Sequence, residues 1–277
     1  PTPPVEARPG RLSVTRINDL FRDPYAIYAS HVLGLNVLDD LDADAGARDR
    51  GDIIHKILER FSLEHPPTAK KPMPDNAYGA LVAIAREEFD KTDARPAVQA
   101  IWYPRFLEVA EWFLTWEAER RTGIRQTFVE LKGEHTVALP TREFTLSGIA
   151  DRIDLLTDGS LAILDYKTGP APTAKQTTAK FSVQLPLEAA MARDGAFHTD
   201  KDGRTIGPPR ALTSELAYVE LKTGRVVSAV EKNADVMTEA DAAMGHMVDL
   251  LTLFETEDTP YISRPRPQFL TYDGDYD

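Results

Sequence analysis

The 277-residue sequence contains no cysteine. The chain therefore cannot form disulfides, and thiolate-held zinc or iron–sulfur clusters are excluded. Any bound metal must be held by oxygen or imidazole ligands. No run of about 18 apolar residues occurs, and the N-terminus lacks the basic and apolar regions of a signal peptide. We therefore expect a soluble, cytoplasmic protein with no membrane partner.

The sequence also has fewer basic residues than acidic ones. The chain has 32 Lys and Arg against 44 Asp and Glu, a net charge of −12. This balance argues against a protein that holds nucleic acid by bulk positive charge. It does not exclude a nuclease, because a metal site built from carboxylates is itself negative. No Walker loop, GxGxxG motif or repeat occurs, so the usual signals of an ATPase or dinucleotide binder are missing.

The apolar pattern changes its period near Gly123. Before this residue apolar side chains recur at helical spacing, and after it they alternate as in strands. The sequence therefore predicts an α/β fold whose N-terminal part is largely helical. Two helices, or one helix broken at Asp23-Pro24, are predicted from Ser13 to Val32. Further predicted helices lie at about 51–64, 76–91, 96–121, 180–193 and 234–256, and the predicted strands lie at about 126–139, 143–156, 160–167, 212–221 and 225–231.

The residue types that carry chemistry cluster on two of these strands. Asp165 and Lys167 should project from the same strand face, roughly 7 Å apart. Asp151 joins them if the two strands pair through the turn at Asp158-Gly159 with the right register. Two carboxylates that close repel each other unless a divalent cation lies between them, and Mg²⁺ prefers such oxygen ligands. A lysine beside that cation can orient or deprotonate water, or stabilise developing phosphorane charge.

A structural alternative exists for the same residues. Asp154 and Asp165 could form salt bridges with Arg152 and Lys167 at the strand ends. Asp165, however, follows the nearly continuous apolar segment 161–164, where an unpaired buried carboxylate would be costly. Its position therefore favours a functional role.

Several short motifs follow one another along the chain. In chain order they are Leu12-Ser-Val-Thr-Arg-Ile17, Asp23-Pro-Tyr25, Val32-Leu-Gly34, Gly51-Asp-Ile-Ile-His55, Gly148-x-x-Asp151-Arg-Ile-Asp154, Asp165-Tyr-Lys167-Thr-Gly169 and Gln184-Leu185. Together they resemble the PD-(D/E)XK nucleases of the RecB type. The resemblance is closest to the C-terminal nuclease domain of AddB-type subunits of bacterial helicase–nucleases that process double-strand DNA breaks, in their alphaproteobacterial branch. It implies a restriction-endonuclease-like fold, with a central mixed sheet flanked by helices.

Transferred to this chain, the resemblance assigns the central roles to four residues. Asp151 and Asp165 become metal-binding carboxylates, and Lys167 becomes the catalytic lysine. The backbone carbonyl of Tyr166 completes the metal shell. The cofactor implied is Mg²⁺, with Mn²⁺ as a possible substitute.

Three further positions follow from the same resemblance. His55 matches a helix histidine that reaches the metal, although by itself it is typical of a solvated helix residue. Glu134 matches an additional acidic ligand, with Glu130 as the alternative on the same strand face. Gln184 matches a glutamine that borders the site, and is otherwise an ordinary helix amide. The tyrosine usually found four residues later is Glu188 here.

Many relatives hold an iron–sulfur cluster through cysteines, one of them just before the proline of the first helical segment. Asp23 occupies that position here, so we expect no cluster. The helix at 96–121 carries Trp102, Trp112 and Trp116, which we expect in the core. These aromatics could instead stack on single-stranded bases.

The predicted organisation is one nuclease domain of a longer parent protein: a linker at 1–12, a helical part at 13–122, a nuclease core at 123–258 and an extended tail at 259–277. The chain opens on Pro1 rather than Met, which is expected of a fragment. The resemblance implies an exonuclease acting on a single strand unwound by an AddA-like helicase–nuclease partner. The alternatives are an inactive DNA-end-binding or subunit-docking module and a free-standing RecB-like or Cas4-like exonuclease.

Overall fold

A computed structural model describes residues 1–35, 47–91, 96–199, 204 and 206–265. Helices dominate the first part of the chain and strands the second, as the change of period predicts. The helices are α1 Val14–Arg22, α2 Pro24–Ile27, α3 Ala47–Glu64, α4 Ala77–Asp90, α5 Pro96–Arg120, α6 Ala174–Thr178, α7 Gln184–Arg193 and α8 Val236–Leu253, with a π-helical turn at Tyr28–Val32. The strands are β1 Arg11–Ser13, β2 Ile124–Ala138, β3 Glu143–Leu156, β4 Leu161–Lys167, β5 Phe197–Thr199, β6 Thr213–Glu220 and β7 Arg225–Ser228.

The strands form one mixed sheet in the order β5-β2-β3-β4-β6-β7, and β1 pairs with β3. β2, β3 and β4 form an antiparallel meander, while β4 and β6 are parallel. Gly159 closes the β3–β4 turn with a φ of 91°, a conformation that glycine adopts without strain. The predicted central mixed sheet flanked by helices is confirmed.

Helices cover both faces of the sheet, because the central strand β4 is apolar on both sides. Leu161 and Ile163 belong to one core, which α1, α7 and α8 complete. Leu164 and Tyr166 belong to a second core, which α3, α4 and α5 complete. The chemistry-bearing end of β4 is therefore enclosed between two helical layers.

Buried ion pairs bind α5 to the sheet. Arg152 on β3 is fully buried and lies 2.7 Å from Glu117 on α5 and 2.8 Å from Asp154. Arg120 on α5 contacts Asp154 at 2.9 Å and Glu215 on β6 at 3.0 Å. Asp154 thus pairs with Arg152, as the structural alternative proposed, and acts as an anchor for α5.

Three short elements were not predicted: β1, β5 and α6. β1 lies at the end of the segment predicted as a linker, and it pairs in parallel with residues 145–147 of β3. Arg8, in the same segment, is buried and donates hydrogen bonds to the carbonyls of Phe254, Thr256 and Glu257. Residues 1–12 therefore pack on the domain instead of leading away from it.

Within the described residues, none of the helices is both long and apolar enough to cross a membrane. Part of the predicted tail, residues 266–277, lies outside the described residues, as do residues 200–203 and 205 of the segment 194–209, whose Gly, Asp and Pro content predicts a loop. The described part of the tail contains Tyr261, which is buried against Phe254 beyond the end of α8.

Candidate active site

The candidate site lies where β4 separates from β3. Along one edge of β3, β1 pairs with residues 145–147 and β4 with residues 152–155. Residues 165–167 continue along β6 instead. Because Arg152 pairs with Leu164, Asp151 and Asp165 face each other across the opening of this fork. The register that the sequence left open thus brings both carboxylates together.

Asp165 and Lys167 share a strand face, as their spacing predicts. Lys167 Nζ lies 3.0 Å from Oδ1 and 2.7 Å from Oδ2 of Asp165. Gln184, the first residue of α7, donates from Nε2 to Asp165 Oδ1 at 2.8 Å. Burial opposes the charge on Lys167, but the Asp165 carboxylate outweighs it, so the pKa of Lys167 is raised. The lysine is therefore a fixed ammonium at neutral pH.

His55, on α3, approaches the fork from the sheet face opposite to the one that α7 covers. Its Nδ1 lies 3.5 Å from Asp151 Oδ2, and its Nε2 lies 2.8 Å from the carbonyl oxygen of Tyr166. Since a carbonyl only accepts, Nε2 carries the proton in this contact. The backbone N–H of Tyr166 donates to Asp151 Oδ2 at 2.8 Å. Three predicted metal-site groups are thus in direct contact.

Glu130 completes this group, whereas Glu134 does not. Val129 pairs with Arg152 and Leu131 with Ala150, so Glu130 lies opposite Asp151 on β2. Its φ of 48° is unusual for a non-glycine residue and of a kind found at functional sites.

Glu134 lies four residues further along β2, opposite Ser147. Its side chain is exposed and pairs with Arg11 at 2.6 Å. The structure therefore separates Glu134, which the resemblance favoured, from Asp151, and brings the alternative, Glu130, to the site.

The residues present suit a divalent cation. His55, Glu130 and Asp151 each offer a ligand atom, and these atoms lie within 4.8 Å of one another. Burial and the neighbouring Asp165 carboxylate raise the pKa of Asp151 from 3.8 to about 7. Asp165 Oδ2 is buried and, despite the nearby lysine, accepts no hydrogen bond of proper geometry. A bound cation would reduce the repulsion between Asp151 and Asp165, and it would give Asp165 Oδ2 a partner.

A cleft opens beside His55, Glu130 and Asp151, and residues of α3, α4, β2 and β3 line it. Its volume is about 620 Å³, and its lining includes Asp52, Glu59 and Glu88 together with the candidate metal ligands His55, Glu130 and Asp151. Lys56 and Arg60 are the basic residues of its lining. The cleft is thus predominantly acidic.

Glu188 lies one turn after Gln184 on α7 and belongs to the site. The sequence indicated it only as a departure from the family pattern. It is buried, and its Oε1 accepts a hydrogen bond from Gln184 Nε2 at 3.2 Å. Burial and the charges of Asp165 and Asp151 raise its pKa well above the ordinary value. The i, i+4 spacing from Gln184 on a helix was the signal that could have linked the two residues.

The mixed sheet and this fork of acidic residues and lysine define a nuclease-type α/β fold. The family model of the PD-(D/E)XK nuclease superfamily matches residues 11–264, and the chain belongs to this superfamily. The predicted restriction-endonuclease-like fold class is confirmed, and so is the predicted membership of a nuclease superfamily.

Several relatives are much longer proteins. An uncharacterized protein of Rickettsia typhi is 32% identical over 190 residues, covering 69% of this chain and 22% of that protein. One of Rickettsia felis is 26% identical over 272 residues, covering 89% and 31%. A subunit of the ATP-dependent helicase/deoxyribonuclease of Streptococcus pyogenes is 27% identical over 165 residues, covering 58% and 14%. The chain therefore spans less than a third of each of these relatives.

Proposed function

We propose that the chain is a Mg²⁺-dependent DNA nuclease, with Mn²⁺ as a substitute. The observation that carries this proposal is the fork, at which Asp151 lies opposite Asp165 and Asp165 contacts Lys167, in a chain of the PD-(D/E)XK superfamily. We assign the metal to His55, Asp151, Asp165, the Tyr166 carbonyl and, in place of Glu134, Glu130. The ligand atoms of His55, Glu130 and Asp151 lie within 4.8 Å of one another and the Tyr166 carbonyl oxygen lies 2.8 Å from His55 Nε2, which supports these four ligands, while the pairing register supports Asp165.

The reaction we propose is hydrolysis of a phosphodiester by in-line attack of water. When bound, the divalent cation supplies Lewis-acid polarisation of the phosphate and a more acidic water. Lys167, held as an ammonium by Asp165, offsets the negative charge that builds up on the phosphorane oxygens. Because its pKa is raised, Lys167 suits this electrostatic role better than that of a general base.

Gln184 has a positioning role in this proposal. Its amide nitrogen bridges Asp165 and Glu188, so it fixes the orientation of the Asp165 carboxylate. A carboxylate whose rotamer is fixed in advance binds a cation and a phosphate without a further cost of ordering.

The biological setting we propose is an exonuclease domain in a cytoplasmic helicase–nuclease that processes double-strand breaks for recombination. Similarity to a subunit of a bacterial ATP-dependent helicase/deoxyribonuclease supports this setting. In such an assembly an AddA-like partner would unwind the duplex and supply a single strand. A partner of this kind would also compensate for the weak electrostatic attraction of DNA by a chain of net charge −12.

The test is a cleavage assay on end-labelled single-stranded DNA with Mg²⁺, Mn²⁺ or EDTA. We expect cleavage with either metal, none with EDTA, and losses of at least a hundredfold in Asp165→Ala and Lys167→Ala. Lys175→Ala, on the separate helix α6, is the matched control and should retain wild-type cleavage. Metal-dependent cleavage that survives in both site variants would refute the assignment, and a protein that binds DNA without cutting it would be an inactive docking module.

A further inference from the structure

A second cavity lies on the other side of α3 from the acidic cleft. It has a volume of about 500 Å³ and is formed by α3, α5 and the turn between β6 and β7. This volume is in the range of small-molecule and nucleotide pockets. Thr168, the residue after Lys167, lines it, and so does Ile54, the residue before His55. The cavity therefore adjoins the catalytic fork on both β4 and α3.

The floor of this cavity is apolar and aromatic. Trp102 and Phe106 line it from the second core, in which both are buried, and the partly buried Trp112 forms one wall. The ring of Trp112 stacks on that of Trp116, with 5.9 Å between the ring centroids and an interplanar angle of 8°, and this stacking restricts its movement. On the β6–β7 turn, Gly224 packs so closely that a Cβ there would lie 2.9 Å from the Trp112 ring. The aromatic surface is therefore preformed.

The rim of the cavity is basic. Arg50, Arg105 and Lys222 line it, against a single acidic residue, Glu108. Within the described part of the chain, none of these three cations forms an ion pair or a side-chain hydrogen bond. Most other arginines on the sheet and helices are paired with carboxylates. Three unpaired cations around one pocket in an acidic chain indicate an anionic ligand.

We propose that this cavity binds one nucleotide of the DNA strand, next to the phosphodiester that lies at the fork. The aromatic floor suits a planar base, and the basic rim suits its phosphates. In this proposal the two cavities have different roles. The acidic cleft contains the candidate metal ligands and carries out cleavage, and the basic pocket binds the neighbouring nucleotide. This proposal rests on the proposed nuclease function, because it takes DNA as the substrate.

The three tryptophans of the chain, Trp102, Trp112 and Trp116, all lie on α5 in or against this cavity. Intrinsic fluorescence therefore reports on it directly. We would titrate the chain with the oligonucleotide (dT)₈ in EDTA at low salt, where no cleavage occurs. Quenching is expected for the wild-type chain.

The pocket variant is Arg105→Ala combined with Lys222→Ala, for which we expect the Kd to rise about tenfold or more. The charge-matched control is Arg86→Ala with Lys232→Ala, two exposed cations away from the pocket, for which we expect less than a twofold change. Arg105→Lys with Lys222→Arg should restore binding. Circular dichroism and Tm of all variants identify any that fail to fold, in which case the conservative pair decides.

Equal losses in the pocket variant and the control would overturn the proposal, since binding would then depend only on overall charge. Equally tight binding of dTMP and (dT)₈ would also overturn it, because the pocket would then take a free nucleotide. The two proposals fail separately. The binding result, obtained in EDTA, does not depend on cleavage, and the Asp165→Ala cleavage assay does not depend on this pocket.

Discussion

Replacing Asp151 with asparagine should stabilise the metal-free protein at alkaline pH. Burial and the adjacent Asp165 raise the pKa of Asp151 from 3.8 to about 7, so ionisation of this carboxyl disfavours the folded state. Asparagine is neutral and nearly the same shape, and its Oδ1 can still accept the hydrogen bond from the Tyr166 N–H. The substitution therefore removes the repulsion without removing the contact.

The size and sign of the effect follow from linkage. Well below pH 3.8 Asp151 is protonated in both states, so its pKa shift has no effect on stability. As the pH rises the unfolded state ionises first, and the folded state loses up to about 4 kcal/mol above pH 7. Asp151→Asn should recover about 1 kcal/mol at pH 4.5 and up to about 4 kcal/mol at pH 8. For a chain of this size that is a rise in Tm of about 10 °C at pH 8.

The assay is thermal unfolding in EDTA at pH 4.5 and pH 8, with Asp154→Asn as the matched control. Asp154 lies three residues away on the same strand. Burial disfavours its charge, but Arg152 and Arg120 more than offset this and lower its pKa. The control should therefore lower the Tm at pH 8, opposite in sign to Asp151→Asn. A lower Tm for Asp151→Asn at pH 8 would refute the clustering of carboxylates at the fork.

Two further predictions concern the metal ligand and the ionic anchor. Glu130→Gln should raise the Mg²⁺ concentration for half-maximal cleavage at least tenfold, while Glu134→Gln should leave it unchanged; the opposite ranking would restore Glu134 as the ligand. Glu117→Ala should destabilise the protein by about 3 kcal/mol in urea unfolding, because Arg152 is fully buried and loses one of its two carboxylate partners. A loss below about 1 kcal/mol would contradict the second prediction.

Sequence patterns predicted the long elements because each has a repeated apolar period. The observed bounds of α3, β2, β3 and β4 lie within a few residues of those predicted. β1 and β5 are three residues long, too short to show a period, and they exist because neighbouring strands offer unpaired edges. The packing of Arg8 on the backbone beyond α8 depends on contacts distant in sequence, which no local pattern reveals.

The candidate site was predictable to a similar extent. The alternation of side chains along a strand was enough to predict that Asp165 and Lys167 share a face. To predict that Asp151 lies beside Asp165, the register of the β3–β4 hairpin was also needed. Glu130 and Glu134 are equivalent by alternation alone. The register of β2 against β3 distinguishes them, and it is fixed by pairing along the whole hairpin. Metal binding by these residues stays a prediction.

The ion pairs from α5 to β3 and β6 have a mechanical consequence. Glu117 and Arg120 clamp the helix that carries Trp102 and Trp112 to the same strand that carries Asp151. The distance between the aromatic pocket and the carboxylates is therefore set by a rigid frame. In the proposed nuclease, this frame would hold a nucleotide bound in the pocket at one fixed distance from the carboxylates.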